Sequence, residues 1–241
     1  MDLGKLGARI KQQREKRRLR QADVAAALRL SAQAVSKWER GENAPDIALL
    51  VRLSQLLGVS VEWILSGNDA EPGTFQATVM ITTIVGYADR ATQVKPSELA
   101  AWANVFHFAV TEAVLRHDGV PIKCVGDGSL GFFAGDGASR RAALSAREAL
   151  RAVEGSELVV VLHAGPIFLG LLGHPDYART DIIGTTVNSA FMLVPHVVER
   201  CASRIGLSRC VADELASDTP TRSTGTVRVL GCGVELFELP P

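Results

Sequence analysis

Residues 21–67 read QADVAAALRLSAQAVSKWERGENAPDIALLVRLSQLLGVSVEWILSG, and the punctuation of this stretch decides the first fold. Apolar residues recur at helical spacing in short runs: Val24, Ala25, Ala27 and Leu28; then Val35 and Trp38; then Leu49, Leu50, Leu53, Leu56 and Leu57; then Val61, Ile64 and Leu65. Ser31 is placed to cap the helix that follows it, Gly41 to end that helix, and Asp46 after Pro45 to cap the next. Gly58 marks a further break. Upstream, Leu3, Leu6 and Ile10 add one more stripe, closed by the charged run Arg18–Arg20. Five short helices within residues 3–67 predict a compact all-α bundle.

Working outward, the chain of 241 residues carries 26 Lys+Arg, 26 Asp+Glu and 47% hydrophobic residues, enough to build packed cores. Its net charge of zero hides an asymmetry. Residues 1–67 hold 12 Lys/Arg against 7 Asp/Glu, whereas residues 68–241 hold 14 against 19. Two domains are expected, the first with an anionic partner. No apolar run approaches the roughly 18 residues of a membrane span, and the charged N-terminus lacks a signal peptide's apolar core. Cys124, Cys201, Cys210 and Cys232 fit no CxxC or Cys/His spacing. They are expected to be reduced, mostly packing thiols of a cytoplasmic protein with no metal site.

Residues 68–76 have linker composition, and after them the pattern changes. Ala77–Val85 reads as a strand, Glu98–His117 as a helix, and Pro121–Val125 with Ser129–Phe133 as a hairpin about a Gly-Asp-Gly turn. Ser139–Val153 reads as a helix, Leu158–His163 as a strand, Val187–Cys201 as a helix and Val227–Leu239 as a last strand or hairpin. This β-α-β-β-α-β order predicts an α+β ferredoxin-like domain over 77–241.

The stretch quoted first resembles the helix-turn-helix of phage repressor and Cro-like regulators, the XRE family. The likeness is carried by Gln21, Ala25, the Val35/Trp38/Glu39/Gly41 run, Pro45 and the closing GVSVEWILSG. It implies a DNA-binding domain over 1–67 whose third helix enters the major groove. Base-reading positions then fall on Ala32, Gln33, Ser36 and Lys37. Gln33 suits adenine, Lys37 guanine and Ala32 a thymine methyl. Gln21 is expected on a phosphate, with Arg9, Lys11, Arg17, Arg18, Arg20 and Arg40 as further phosphate contacts. Arg14 and Glu39 match a structural ion pair of that family.

Four blocks of the second region resemble class III nucleotidyl cyclases: TVMITTIVGY, GVPIKCVGDGSLGFF, VVVLHAGPIFLGLLG and DIIGTTVNSAFML. The resemblance implies a two-metal site built on two Asp residues, and here those positions hold Thr83 and Asp127. Its transition-state Arg falls on Met192, and its phosphate Lys on Leu230, with Arg228 nearby. Asp89 lies too far past the turn to stand in for Thr83. Lys123 and Asp181 match the base-reading pair, and Asn188 the ribose-orienting amide. His163, on a core strand, is expected to pack. The expectation is a cyclase fold without catalytic residues, without a metal and without a required cofactor, whose possible effector is a nucleotide or cyclic nucleotide. Joined to the first domain, it predicts a homodimeric regulator on double-stranded DNA with a palindromic operator. An active cyclase under DNA-binding control, and a dimerisation module without ligand, stand as alternatives.

Overall fold

The computed structural model describes residues 2–67, 73–153, 158–174, 176–216 and 219–240. The core of the expected linker, residues 68–72, lies outside them. The chain forms two compact units: 1–76 with 134–136 and 166–183, and 77–133 with 137–165 and 184–241.

The first unit opens with α1 (Leu3–Lys16), α2 (Gln21–Leu28), α3 (Ala32–Glu39), α4 (Ile47–Leu57) and α5 (Val61–Ser66). All five expected helices are present, and the expected caps are made. Ser31 Oγ accepts from the Ala34 N–H at 3.3 Å, and Asp46 Oδ1 accepts from the Leu49 N–H at 2.9 Å. Asp2 and Ser60 cap α1 and α5 in the same way. Leu6, Ile10, Val24, Val35, Leu53, Leu57 and Ile64 form a sealed core. α1 crosses α3 at Gly7, where any Cβ would press on the Trp38 carbonyl, so this close approach requires glycine.

The second unit is organised on a sheet of order β2-β3-β1-β4-β6-β8-β7. Its strands are β1 (Thr74–Ile84), β2 (Val120–Val125), β3 (Gly128–Ala134), β4 (Leu158–Leu172), β6 (Ile205–Ser208), β7 (Arg222–Val229) and β8 (Cys232–Glu238). β5 (Arg179–Ile183) and the far end of β4 belong to the first unit, where they pair antiparallel from Phe168↔Ile183 to Leu172↔Arg179. The helices are α6 (Tyr87–Gln93), α7 (Pro96–Arg116), α8 (Ala138–Ala152), α9 (Thr185–Arg200) and α10 (Arg209–Leu215).

One core joins α7, α8 and α10 to one face of the sheet: Phe106, Val110, Ala142, Ala146 and Val211 against Met80, Phe133, Val160, Ile205 and Leu207. The small alanines of α8 let it lie close. Strand alternation turns Gly206 to the opposite face. There α9 packs so tightly that a Cβ on Gly206 would overlap Val197.

Every expected strand and helix of this region is found. The last segment resolves as a hairpin, and β4 runs nine residues beyond the expected His163. β5, β6, α6 and α10 were not expected. The cysteines call for a correction: none is in a disulfide, but only Cys201 is buried, while Cys124, Cys210 and Cys232 are exposed. Desolvation pushes the Cys201 thiol up to about 11. Among the described residues no helix is long and apolar enough to cross a membrane.

Candidate functional sites

In the first unit, α3 buries Val35 and Trp38 and thereby turns its other face outward. Ala32, Gln33 and Lys37 are exposed on that face and Ser36 is half-buried. Gln33 and Lys37 stand one turn apart and form an exposed polar ridge.

Beneath the ridge lies a charged network. Arg14 Nε donates to Glu39 Oε1 at 2.6 Å, Arg14 Nη2 to Glu39 Oε2 at 3.1 Å, and Arg14 Nη1 to the Leu19 carbonyl at 2.7 Å. The two side chains are 10% and 3% exposed. Gln21 Nε2 donates to Glu39 Oε2 at 2.8 Å, so one amide proton of Gln21 is engaged inside the fold. The network locks α1, α2 and α3 together.

The remaining basic residues divide by geometry. Arg9, expected on a phosphate, instead donates to the Ile64 carbonyl at 2.9 Å and the Leu65 carbonyl at 2.5 Å, closing the end of α5. Burial lowers its pKa. Arg20 pairs with Asp23 at 3.1 Å, and Arg40 pairs with Glu42 at 2.6 Å while also holding the Ser36 hydroxyl. Arg17 is exposed beside Gly58, and Arg18 is exposed in the left-handed turn that ends α1. Lys11 is also exposed. Arg17, Arg18, Arg20 and Arg40 therefore all reach solvent.

In the second unit, the Gly126–Gly128 turn is held from three sides. The Ile84 N–H donates to the Asp127 carbonyl at 3.0 Å. The Thr83 hydroxyl donates to Asp127 Oδ2 at 2.7 Å. His107 Nε2 lies 3.1 Å from the Gly126 carbonyl, where it donates as the Nε2–H tautomer. A cleft of about 440 Å³ opens beside this turn, lined by Thr83, Lys123, Val125, Asp127, Leu130 and Phe191 among others. It is an apolar groove with one ammonium and one carboxylate.

The structure thus brings Lys123 and Asp127 to one cleft. Asn188 lies outside the lining, one turn before Phe191 on the exposed side of α9. Asp181 belongs to β5, opposite Gly170, with its Oδ1 accepting from the Ile182 N–H at 2.8 Å. Met192 is 44% exposed, and Leu230 is 49% exposed in the β7–β8 turn. Asp89 is exposed on α6. His163 is half-buried, its pKa lowered by desolvation, with Nδ1 buried and unpaired among the described residues.

Sequence reasoning missed His107. Its only signal was a histidine between two phenylalanines on an amphipathic helix.

The cleft does not fit a two-metal centre. A divalent pair needs bridging carboxylates. Here one position is a neutral hydroxyl that donates to the remaining carboxylate. Among the described residues no three or more His, Cys, Asp or Glu gather as metal ligands.

Residues 10–64 match the Helix-turn-helix family model. Over 69 residues the chain is 38% identical to the HTH-type transcriptional regulator DicA of Escherichia coli, covering 29% of this chain and 51% of that protein. The rest of the chain has the fold of cyclase domains. It superposes on a bacterial light-regulated adenylyl cyclase with a TM-score of 0.64 at 14% identity, over 70% of this chain and 53% of that one. On the adenylyl cyclase CyaB from P. aeruginosa the TM-score is 0.61 at 19% identity, over 70% and 95%. The chain spans about half the length of the first of each kind.

Proposed function

We propose that this protein is a DNA-binding transcriptional regulator that works as a homodimer, with 1–67 as the DNA-binding domain, 68–76 as the linker and 77–241 as a cyclase-like domain. In this reading the second domain has lost turnover, dimerises the chain and takes a nucleotide as effector.

The observation that carries the DNA-binding reading is the exposed Gln33/Lys37 ridge on a helix capped by Ser31 and braced from below by Arg14, Glu39 and Gln21. Gln33 pairs with an adenine edge and Lys37 with a guanine edge, while Arg17, Arg18, Arg20 and Arg40 meet phosphates. One such domain buries too little for tight specific binding, so a second copy is needed.

The dimer reading rests on α9. Phe191, Met192, Pro195 and Val198 form an exposed stripe, the three non-proline members each more than 40% exposed, and Val125 beside the cleft is 66% exposed. Contiguous apolar surface of this kind marks an interaction face. A two-fold pair built on it matches a palindromic operator.

Loss of turnover follows from charge. Thr83 and Met192 stand where the cyclase resemblance asks for a carboxylate and a cation. Removing a charged clamp from a reacting phosphate costs on the order of a thousandfold or more. Lys123, Asp127, Asp181 and Asn188 remain to contact a nucleotide.

Two experiments test the reading. Selection of the full chain against random duplexes should yield a palindrome bound by a dimer, with affinity falling steeply as salt rises. Calorimetric titration with ATP, GTP and their cyclic products, in EDTA and in Mn²⁺, should give binding without product. Product formation would restore the active-cyclase reading. Absence of any binding would leave a dimerisation module.

A further inference from the structure

We propose that the helix-turn-helix is coupled to the cyclase-like region through two segments built into its own compact unit, the loop Ala134–Asp136 and the hairpin 166–183. The inference rests on the DNA-binding reading above and adds the route by which that site is regulated. Sequence alone assigns both segments to the second domain, but the fold groups them with α1–α5.

The loop is the first contact. It continues β3, the strand that starts one residue after Asp127. Lys5 Nζ of α1 meets Asp136 Oδ2 at 3.3 Å. A Cβ on Gly135 would stand 3.5 Å from the Leu65 carbonyl at the end of α5, so the loop backbone is already in contact reach. The Arg9 guanidinium, which closes that helix end, feels the Asp136 charge as well.

The hairpin is the second contact. The Leu169 N–H donates to the Gly73 carbonyl at 2.7 Å. Gly73 has φ +84°, and a Cβ there would come within 2.6 Å of the Phe168 ring, so the junction admits only glycine. α4 packs on β5, the strand that carries Asp181. Leu169 and Ile182, partners across the hairpin, are 1% and 2% exposed, so the paired strands of the hairpin are packed.

These contacts set the loop that follows β3 and the strand that carries Asp181 against α1, α4 and α5, while Gln33 and Lys37 of α3 stay exposed. A stiff, packed element can carry coupling between two sites. Coupling is reciprocal: whatever moves the helix-turn-helix through these segments must itself be felt in them when DNA binds. Effector and operator are thus linked through β5 and the 134–136 loop, without any direct contact between them.

The test uses the full chain and a duplex that it selects from a random pool. Amide hydrogen exchange is followed at Gly135–Gly137, Phe168–Leu172 and Arg179–Ile183, with and without the duplex. The expected result is slower exchange in both segments by about two- to fivefold, the scale of one exposed ion pair. The double variant Lys5→Ala/Asp136→Ala retains the α3 face and should lose the response of the loop. Unchanged exchange in both segments with duplex bound overturns the proposal. So does a loop response that persists undiminished in the double variant, since DNA would then be touching the loop directly. Failure to select any duplex removes the DNA-binding reading and this inference with it. A null titration with ATP or cyclic AMP removes the effector reading alone, so the two failures are distinguishable.

Discussion

Replacing Glu39 by alanine should be among the most damaging single changes in the first unit. Glu39 is 3% exposed and accepts three hydrogen bonds, two from Arg14 and one from Gln21. Its removal leaves the Arg14 guanidinium, 10% exposed, without its principal counter-charge. Breaking a buried pair from one side costs about 3–5 kcal/mol. Arg14 keeps the Leu19 carbonyl at 2.7 Å and a longer contact to Glu15 at 3.4 Å, which places the cost near the lower end, about 3 kcal/mol. That is roughly two powers of ten in the opening equilibrium of α1–α3, a large part of a domain's usual margin. Glu39→Gln keeps the shape and one acceptor and should cost about half as much. The assay is amide exchange of α1–α3 in the full chain, with the exposed Arg20→Ala as reference, where little change is expected. If Glu39→Ala loosens these helices no more than Arg20→Ala does, the network is ornament and the account of how α3 is braced is wrong.

Gln33→Ala with Lys37→Ala should lower affinity for the selected duplex by about a hundredfold or more, at 1–3 kcal/mol per well-placed base contact, and leave a scrambled duplex nearly unaffected; an unchanged ratio by fluorescence anisotropy would place base reading elsewhere. Burial holds the His163 pKa below 6.5, so its neutral form is favoured in the fold and the unfolded chain binds the proton first. Stability is therefore full above pH 6.5 and declines as pH falls below it, by at most about 1.4 kcal/mol per unit, and His163→Gln should flatten that part of a urea-midpoint profile. Thr83→Asp removes a donor and sets a second negative charge against Asp127, worth about 1–4 kcal/mol of repulsion. Its melting temperature in EDTA should drop and recover in Mn²⁺; a variant as stable as the parent in EDTA would refute the reading of that hydrogen bond.

The helical unit was legible almost residue by residue because short helices announce their ends. Ser31 and Asp46 cap through their side chains and Gly58 ends α4 through its left-handed backbone, each acting locally. The sheet was legible where strands alternate or pair by a tight turn, as in Val120–Ala134. It was not legible at β5 and β6, five and four residues long, which hold as strands through pairing with β4 and, for β6, with β8 as well. The reach of β4 was missed because AGPIFLGLLG carries three glycines and a proline, which weaken a strand unless a partner such as β5 holds it. Arg9 was misassigned for a related reason. Composition sees an arginine, whereas only the tertiary fold shows two carbonyls at the end of α5 within its reach. The grouping of 134–136 and 166–183 with the helices is likewise a matter of long-range packing, invisible to any local pattern.

The Thr83 hydroxyl satisfies the Asp127 carboxylate from within the protein. Two carboxylates facing each other across that gap would repel and would need a metal to hold the turn closed. A hydroxyl in the same place does the opposite: it donates to Asp127 and satisfies the site from within. His107 on the Gly126 carbonyl and the Thr82–Ser129 hydroxyl pair at 2.5 Å complete a turn that is stable as it stands. An effector can shift DNA affinity only by binding two arrangements of the protein unequally, and a pre-formed cleft lets more of its binding energy act on that difference. On the proposed reading, the Thr83 hydroxyl that weighs against turnover is also compatible with a cleft that binds an effector.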